Sequence, residues 1–187
     1  MSARNSFKVF GPFNFRLHKG TKTLDADATE AAIKAQIERE YPKDNLDIKG
    51  GCYVFAIRRS GGGMKGGTFM PWYVGKAVRS SLLKESLDSD KYKKCYVDIA
   101  VTMHGTPVLF WIAKAAPGQK NSLDKSAIGK MDKKLIETAA LRNPNLLNKH
   151  HNKPLPFEID GVPLGGQSHP RAKKGAAAWM WRMLRQD

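Results

Sequence analysis

The chain has 187 residues, of which 41% are hydrophobic and 9% aromatic, so it can bury a sizeable core and is not an intrinsically disordered polypeptide. Its 32 lysines and arginines outnumber its 17 acidic residues and leave a formal net charge of +15. Such an excess predicts an anionic partner, and nucleic acid is a commoner one than an anionic membrane surface.

The cysteine content and the lack of long apolar segments indicate where the protein works. Cys52 and Cys95 are too few for a disulfide scaffold and too far apart for the close pairs of a zinc site, so we expect two buried thiols. The N-terminal residues have no apolar targeting segment, and no stretch approaches the roughly 18 apolar residues of a membrane span. The sequence therefore predicts a soluble, cytoplasmic protein with no membrane partner.

The first half of the chain predicts one helix and one hairpin. The first 26 residues are irregular or weakly stranded in pattern. The segment "DATEAAIKAQIEREY" predicts a helix, because Asp27 and Glu30 have the spacing of a capping box, apolar residues recur every fourth position, and Pro42 ends it. The segments "CYVFAI" and "TFMPWYVG" predict a central strand and a second strand, joined across the glycine-rich "SGGGMKGG".

The second half predicts more strands and three helices. "SSLLKESL" is a short helix that starts on a serine, and "CYVDIAVTM" and "TPVLFWIAKA" are predicted strands. The strongest helix runs from about Asp124 to Leu141 and ends before Pro144. "FEIDGVPLGG" predicts a strand and turn, and "SHPRAKKGAAAWMWRMLRQ" a basic amphipathic helix that packs on the core.

Together these elements predict an α/β or α+β fold with a mostly antiparallel central sheet flanked by helices. We divide the chain into an N-terminal extension with one helix at 1–49, a core at 50–149, and a basic C-terminal extension of a strand and a helix at 150–187.

Two short motifs on the predicted hairpin carry a family resemblance. Gly51-Cys52-Tyr53 and Tyr73-Val74-Gly75 resemble the paired motif of the GIY-YIG nuclease superfamily, and "YVGKA" is similar to the same segment of the nucleotide-repair excinuclease in that superfamily. A helix with Glu137 and the stretch "NPNLLN" continue the resemblance, which covers roughly residues 50–149; more loosely, the chain resembles a bacterial group of GIY-YIG-domain proteins. The resemblance implies a small GIY-YIG-type domain and a metal-dependent endonuclease that hydrolyses phosphodiester bonds in DNA.

The resemblance also implies roles for individual residues. Tyr53 would be the general base, supported by Tyr73, while Lys76 would lower the tyrosine pKa and bind phosphate. Glu137 would hold one divalent ion, Mg²⁺ or Mn²⁺, which keeps several of its waters; no small-molecule cofactor is implied. Asn148 would orient Tyr53 or the phosphate, with Asn145 as the alternative.

One position departs from the family pattern. The family usually has a phosphate-binding arginine about ten residues after the second tyrosine, where this chain has Leu83 followed by Lys84. We therefore predict Arg79 as the substitute, with Lys84 second. Further contacts to the DNA backbone are expected from Arg58, Arg59, Lys65, Lys84, Arg142, Lys149, Lys173 and Lys174.

Two alternatives stay open. The displaced arginine is compatible with a nucleic-acid-binding module that keeps the fold and has lost turnover. A ribonuclease with the same site is the other, since the sequence does not distinguish DNA from RNA.

Overall fold

The computed structural model describes residues 6–21, 23–41, 49–59, 67–114, 125–148, 158–159, 162, 172 and 174–184. The strands are β1 (Ser6–Asn14), β2 (Arg16–Leu17), β3 (Leu24–Asp25), β4 (Lys49–Arg59), β5 (Thr68–Ser81), β6 (Thr106–Lys114) and β7 (Glu158–Ile159). The helices are α1 (Ala26–Glu40), α2 (Leu82–Ser86), α3 (Ser89–Lys91), a π-helix (Tyr92–Tyr96), α4 (Val97–Thr102), α5 (Lys125–Arg142) and α6 (Gly175–Leu184).

A five-stranded sheet in the order β5-β4-β6-β1-β7 organises the molecule. The β5-β4, β4-β6 and β6-β1 pairs are antiparallel, and the short β7 pairs in parallel with β1. Helices pack against this sheet, which confirms the predicted α+β fold with a mostly antiparallel sheet. Among the helices of the described segments, none is both long and apolar enough to cross a membrane.

The central strand β4 is buried on both faces because both of its alternating sets of side chains are apolar. Cys52, Val54 and Ala56 pack with residues of α5 and α6, and we call this side of the sheet the α5 face. The side chains of Tyr53, Phe55 and Ile57 pack with residues of α1, α2, the π-helix and α4, and we call this side the tyrosine face. The sheet therefore separates two hydrophobic layers.

The prediction of a strand for "CYVDIAVTM" was wrong. Its residues form the end of the π-helix and α4, and buried Tyr96 and Ile99 follow helical spacing. The β-branched residues of this segment favour a strand. However, the following strand β6 already pairs with β4 on one side and with β1 on the other, so the segment has no free edge of β6 to pair with. Both cysteines are free as expected, although Cys95, in the π-helix, is only partly buried.

The N-terminal segment is more ordered than its sequence predicted. β1 pairs with β6 over its length, with a register shift between Phe10 and Phe13. Phe7 packs on the α5 face and Phe10 on the tyrosine face, so β1 contributes to both layers. Part of the predicted extension 1–49 thus belongs to the same sheet as the core, while the division of the chain into three parts stays a prediction.

The helix boundaries largely follow their local signals. Asp25, not Asp27, caps α1 by accepting a hydrogen bond from the Ala28 amide at 2.9 Å, so the expected capping box was wrong. Ser81 caps α2, in agreement with the predicted serine start. The last helix packs on the core as predicted, with Met180 buried and its neighbour Trp179 against the ring of Phe69.

Candidate functional site

The two motif glycines are required by close contacts across the sheet. Tyr53 on β4 lies opposite Gly75 on β5, and a Cβ atom on Gly75 would lie 2.2 Å from Cζ and 2.3 Å from Oη of Tyr53. A Cβ atom on Gly51 would lie 2.3 Å from the carbonyl oxygen of Ile112 on β6. Each glycine therefore provides space that a larger residue would fill, and the Tyr53 ring covers Gly75.

Four aromatic rings form a contiguous group that we call the tyrosine cluster: Tyr53, Tyr73, Tyr92 and Tyr96. The ring centroids of Tyr53 and Tyr73 are 6.2 Å apart, those of Tyr73 and Tyr96 6.1 Å, and those of Tyr92 and Tyr96 6.4 Å. Tyr53 and Tyr96 are fully buried, whereas Tyr73 on the edge strand β5 is partly exposed. The two motif tyrosines are thus neighbours, and Tyr73 is the one of the two that solvent reaches.

The surroundings of Tyr53 oppose the expected phenolate. Burial raises the pKa of Tyr53 well above its ordinary value, and the nearby Tyr96, Tyr73 and Glu85 raise it further. The Tyr73 hydroxyl is close enough to influence this pKa, yet no described atom meets the geometry of a hydrogen bond to Tyr53 Oη. The expectation that Lys76 lowers this pKa is wrong, because Lys76 lies opposite Cys52 in the register and so on the α5 face.

The cation beside Tyr53 is Lys91, which the motif did not reveal. Lys91 Nζ lies 5.9 Å from the centroid of the Tyr53 ring. It also forms a close ion pair with Glu85, whose carboxylate accepts a hydrogen bond from Ser80. Burial acts to raise the pKa of Glu85, but the hydrogen bonds from Lys91 and Ser80 outweigh it and hold that pKa below its usual value. Only the folding of α2 and α3 over the sheet brings this polar group to the tyrosine cluster.

Lys76 has a different partner from the one expected. Its Nζ lies 2.8 Å from Oδ2 of Asp132, a residue of α5 that is only 7% exposed. The Lys76 side chain itself remains 44% exposed. The motif lysine is therefore held against α5, on the opposite side of the sheet from the tyrosine cluster.

Glu137 does not join the tyrosines. Met131, Leu135 and Ala139 form the buried stripe of α5, and the 3.6-residue period places Glu137 on the other side of the helix. Its carboxylate pairs with Lys134 at 2.9 Å. Because α5 packs on the α5 face, both the helix and the sheet lie between Glu137 and Tyr53. Within the described ranges no three His, Cys, Asp or Glu side chains converge. A Mg²⁺ ion that keeps its waters needs only one carboxylate, so it is the position of Glu137 on the far side of α5 that does not fit an ion shared with Tyr53.

Asn148 closes the edge of the sheet. Its Oδ1 accepts a hydrogen bond from the Val74 amide at 3.1 Å, and its Nδ2 donates to the Val74 carbonyl. The Leu147 amide donates to the Trp72 carbonyl at 3.0 Å, and Asn143 Nδ2 donates to the Pro71 carbonyl at 2.7 Å. The segment after α5 thus satisfies the polar backbone groups of β5 as a further strand would.

We expect Asn148→Asp to lower the free energy of unfolding by about 2 kcal/mol, because a carboxylate cannot donate to the Val74 carbonyl. Asn145→Asp is the matched control, since Asn145 is exposed and its hydrogen bond to Asn143 uses its backbone amide. Urea unfolding at pH 7 measures both. Equal effects of the two substitutions would contradict the assigned role of Asn148.

The remaining predicted residues are dispersed over the surface. Arg59 pairs with Thr68 at the start of β5, and Arg79 lies 11 residues further along the strand, which is roughly 35 Å, so they cannot bind the same phosphate. Arg59, Arg79, Lys84 and Lys174 are exposed, and Arg58 and Arg142 are partly buried. Lys65, Lys149 and Lys173 lie outside the described residues.

No protein-family model, curated protein or solved structure matches the chain.

Proposed function

We propose that this chain is a GIY-YIG-type endonuclease that hydrolyses phosphodiester bonds in DNA and depends on Mg²⁺ or Mn²⁺. The observation that carries the proposal is the packing of Tyr53 on Gly75, with Tyr73 beside it. The tyrosine of one motif occupies the space left by the glycine of the other. A tyrosine that only fills the core does not need a glycine opposite it. The net charge of +15 supports a polyanionic substrate.

Within this proposal, Tyr73 meets the substrate and Tyr53 supports it from behind. Tyr73 is partly exposed on the edge strand β5. Tyr53 is on β4, which lies between β5 and β6, and helices cover its side chain completely. Burial also raises the pKa of Tyr73, so its phenol is protonated at neutral pH and can donate a hydrogen bond to a phosphoryl oxygen. Such a donor stabilises the charge that develops on phosphorus oxygens in the transition state.

The proposed reaction requires a divalent ion. Such ions supply charge stabilisation and activate water in phosphodiester hydrolysis. Since Glu137 faces away from the tyrosine cluster, we assign no catalytic step to an ion held there.

A nucleic-acid-binding module without turnover is the second candidate function. The burial of Tyr53 and the position of Glu137 on the far side of α5 favour it, because the base and the metal ligand that the resemblance implies are not brought together. Under either function most of the affinity comes from neutralised phosphates, so DNA binding should weaken steeply with added salt.

Cleavage of supercoiled plasmid at low salt distinguishes the two. We expect the wild type to nick the plasmid with Mg²⁺ and not with EDTA, and Tyr73→Phe to lower the rate by roughly 100-fold, as the loss of one transition-state donor does. Tyr41→Phe, the same change at a tyrosine packed on Phe10 away from the cluster, should stay within about twofold of the wild type.

Three other outcomes would each reject a different part of the proposal. Plasmid binding without nicking would establish the binding module, and cleavage of RNA alone would establish a ribonuclease. Equal nicking by wild type and Tyr73→Phe would remove the tyrosine cluster from the chemistry.

A further inference from the structure

α5 carries two carboxylates that differ in direction and surroundings. Asp132 is buried on the side of the helix that packs on the sheet, and its hydrogen bond goes to Lys76. Glu137 is on the outer side, where Lys134 of the same helix neutralises it. The family resemblance selected Glu137, but Asp132 is the α5 carboxylate that contacts a motif strand.

A buried carboxylate is costly unless a partner offsets its desolvation, and Lys76 is that partner. The ammonium group of a lysine has three N–H donors, and the bond to Asp132 uses one of them. The Lys76 side chain is 44% exposed, so its other donors can reach a group in solvent. Asp132 thereby restricts a flexible lysine to one position and leaves its outer side available to a phosphate.

We propose that Asp132 is the positioning residue for Lys76, which it holds at the edge of β5 so that the ammonium group binds a phosphate of the nucleic acid. This inference rests on the proposed function, because it assumes that nucleic acid approaches β5 at the exposed Lys76, beyond the stretch from Pro71 to Val74 that the segment after α5 covers. It replaces Glu137 with Asp132 as the functional carboxylate of α5. Tyr73 lies three residues before Lys76 on the same strand, and its side chain is on the opposite face, so Lys76 and Tyr73 would contact a nucleic acid from the two sides of β5.

The competing interpretation is a purely structural ion pair, and the two differ in the sign of a measurable coupling. If Asp132 positions Lys76, then Lys76→Met should weaken DNA binding more in the wild type than in the Asp132→Asn background. If Asp132 only neutralises Lys76, removing the carboxylate would release the lysine for phosphate, and Lys76→Met would then weaken binding more in the Asp132→Asn background.

The test is a double-mutant cycle on the affinity for a short DNA duplex at several salt concentrations. We expect Lys76→Met to weaken binding at least threefold more in the wild type than in the Asp132→Asn background, and to lower the slope of log K against log salt by about 0.9 in the wild type. In the Glu137→Gln background, the matched carboxylate-to-amide control on the same helix, Lys76→Met should act as in the wild type.

Equal effects in the two Asp132 backgrounds, or a larger effect after Asp132→Asn, would overturn the inference. If Asp132→Asn does not fold, Asp132→Glu serves in the same cycle, because it keeps the charge but displaces the ammonium group. In that background too, the inference is supported only if Lys76→Met weakens DNA binding less than it does in the wild type. Binding decides this inference and nicking by the wild type decides the proposed function, so the two can fail separately.

Discussion

We expect Gly75→Ala to lower the free energy of unfolding by about 3 kcal/mol, because the added methyl group overpacks the core. The new Cβ atom would lie 2.2 Å from the Tyr53 ring, which is fully buried and cannot move aside without disturbing the tyrosine cluster. The cost outweighs the fraction of a kcal/mol that alanine gains over glycine in a strand. Urea unfolding at pH 7 measures it.

Two controls make this prediction specific. Gly129→Ala places the same methyl group on α5, where a Cβ atom has no neighbour within 4 Å, so it should stabilise the protein by about 0.5–1 kcal/mol. In a Tyr53→Leu background, Gly75→Ala should lose most of its cost, because the ring tip that it strikes is gone. A full cost in that background would show that the contact with Tyr53 is not the reason for Gly75.

The second large effect is a loss of stability at alkaline pH. Burial raises the pKa of both Tyr53 and Tyr96 well above the unfolded value of about 10. Burial, with Asp25 and Asp27 nearby, raises the pKa of Tyr92 to about 12. The unfolded chain therefore loses these phenolic protons first, and the stabilisation, present in full below about pH 10, declines as the pH rises toward the folded values.

Each of the two fully buried tyrosines should lower the free energy of unfolding by about 1.4 kcal/mol for every pH unit above 10. Urea unfolding at pH 8, 10 and 11, with phenolate absorbance recorded in parallel, measures this slope. Tyr53→Phe and Tyr96→Phe should each remove about one tyrosine's share of it, since lysine ionisation is common to all variants.

The same variants report on neutral pH. The Tyr53 and Tyr96 hydroxyls have no hydrogen-bond partner among the described residues, so Tyr53→Phe and Tyr96→Phe should be neutral or slightly stabilising at pH 7. Phenolate absorbance of all five tyrosines near pH 10 in the folded state would contradict the burial of Tyr53 and Tyr96.

The electrostatics of the candidate site come from residues outside the motifs. Lys91 and Glu85 approach Tyr53 on one face of the sheet, while Asp132 holds Lys76 on the other. The accessible Tyr73 lies on the edge strand between these two groups, within the electrostatic influence of both Glu85 and Asp132. A nucleic acid that reached Tyr73 would therefore approach from the tyrosine face, because the segment after α5 covers the edge of β5 beside it.

Part of this arrangement was readable in the sequence. Lys76 follows Tyr73 by three residues, and strand alternation places residues at odd spacing on opposite faces. The helical period likewise places Asp132 with the apolar stripe of α5 and Glu137 outside it. The family resemblance drew these residues into one site, although their own periodicity indicated otherwise.

Local sequence patterns were enough to predict several of the helices and strands. Two β-branched and aromatic segments with a glycine-rich connection predicted the β4–β5 hairpin, and apolar periodicity with a following proline predicted α5. Such signals come from residues close together in the chain, so they can be read without knowledge of the rest of the fold.

Which segments share a face of the sheet depends on tertiary contacts that no local pattern specifies. β1 joins the sheet because β6 offers it an edge, and the segment predicted as a strand from Cys95 onward is helical because it covers a sheet face that is already complete. The approach of Lys91 to Tyr53 and the closure of the β5 edge by Asn148 join residues 38 and 74 positions apart in the chain. These contacts form because apolar surface and unpaired backbone groups are stable only when another segment covers them. Which segment does so depends on the whole fold, because no local pattern specifies it.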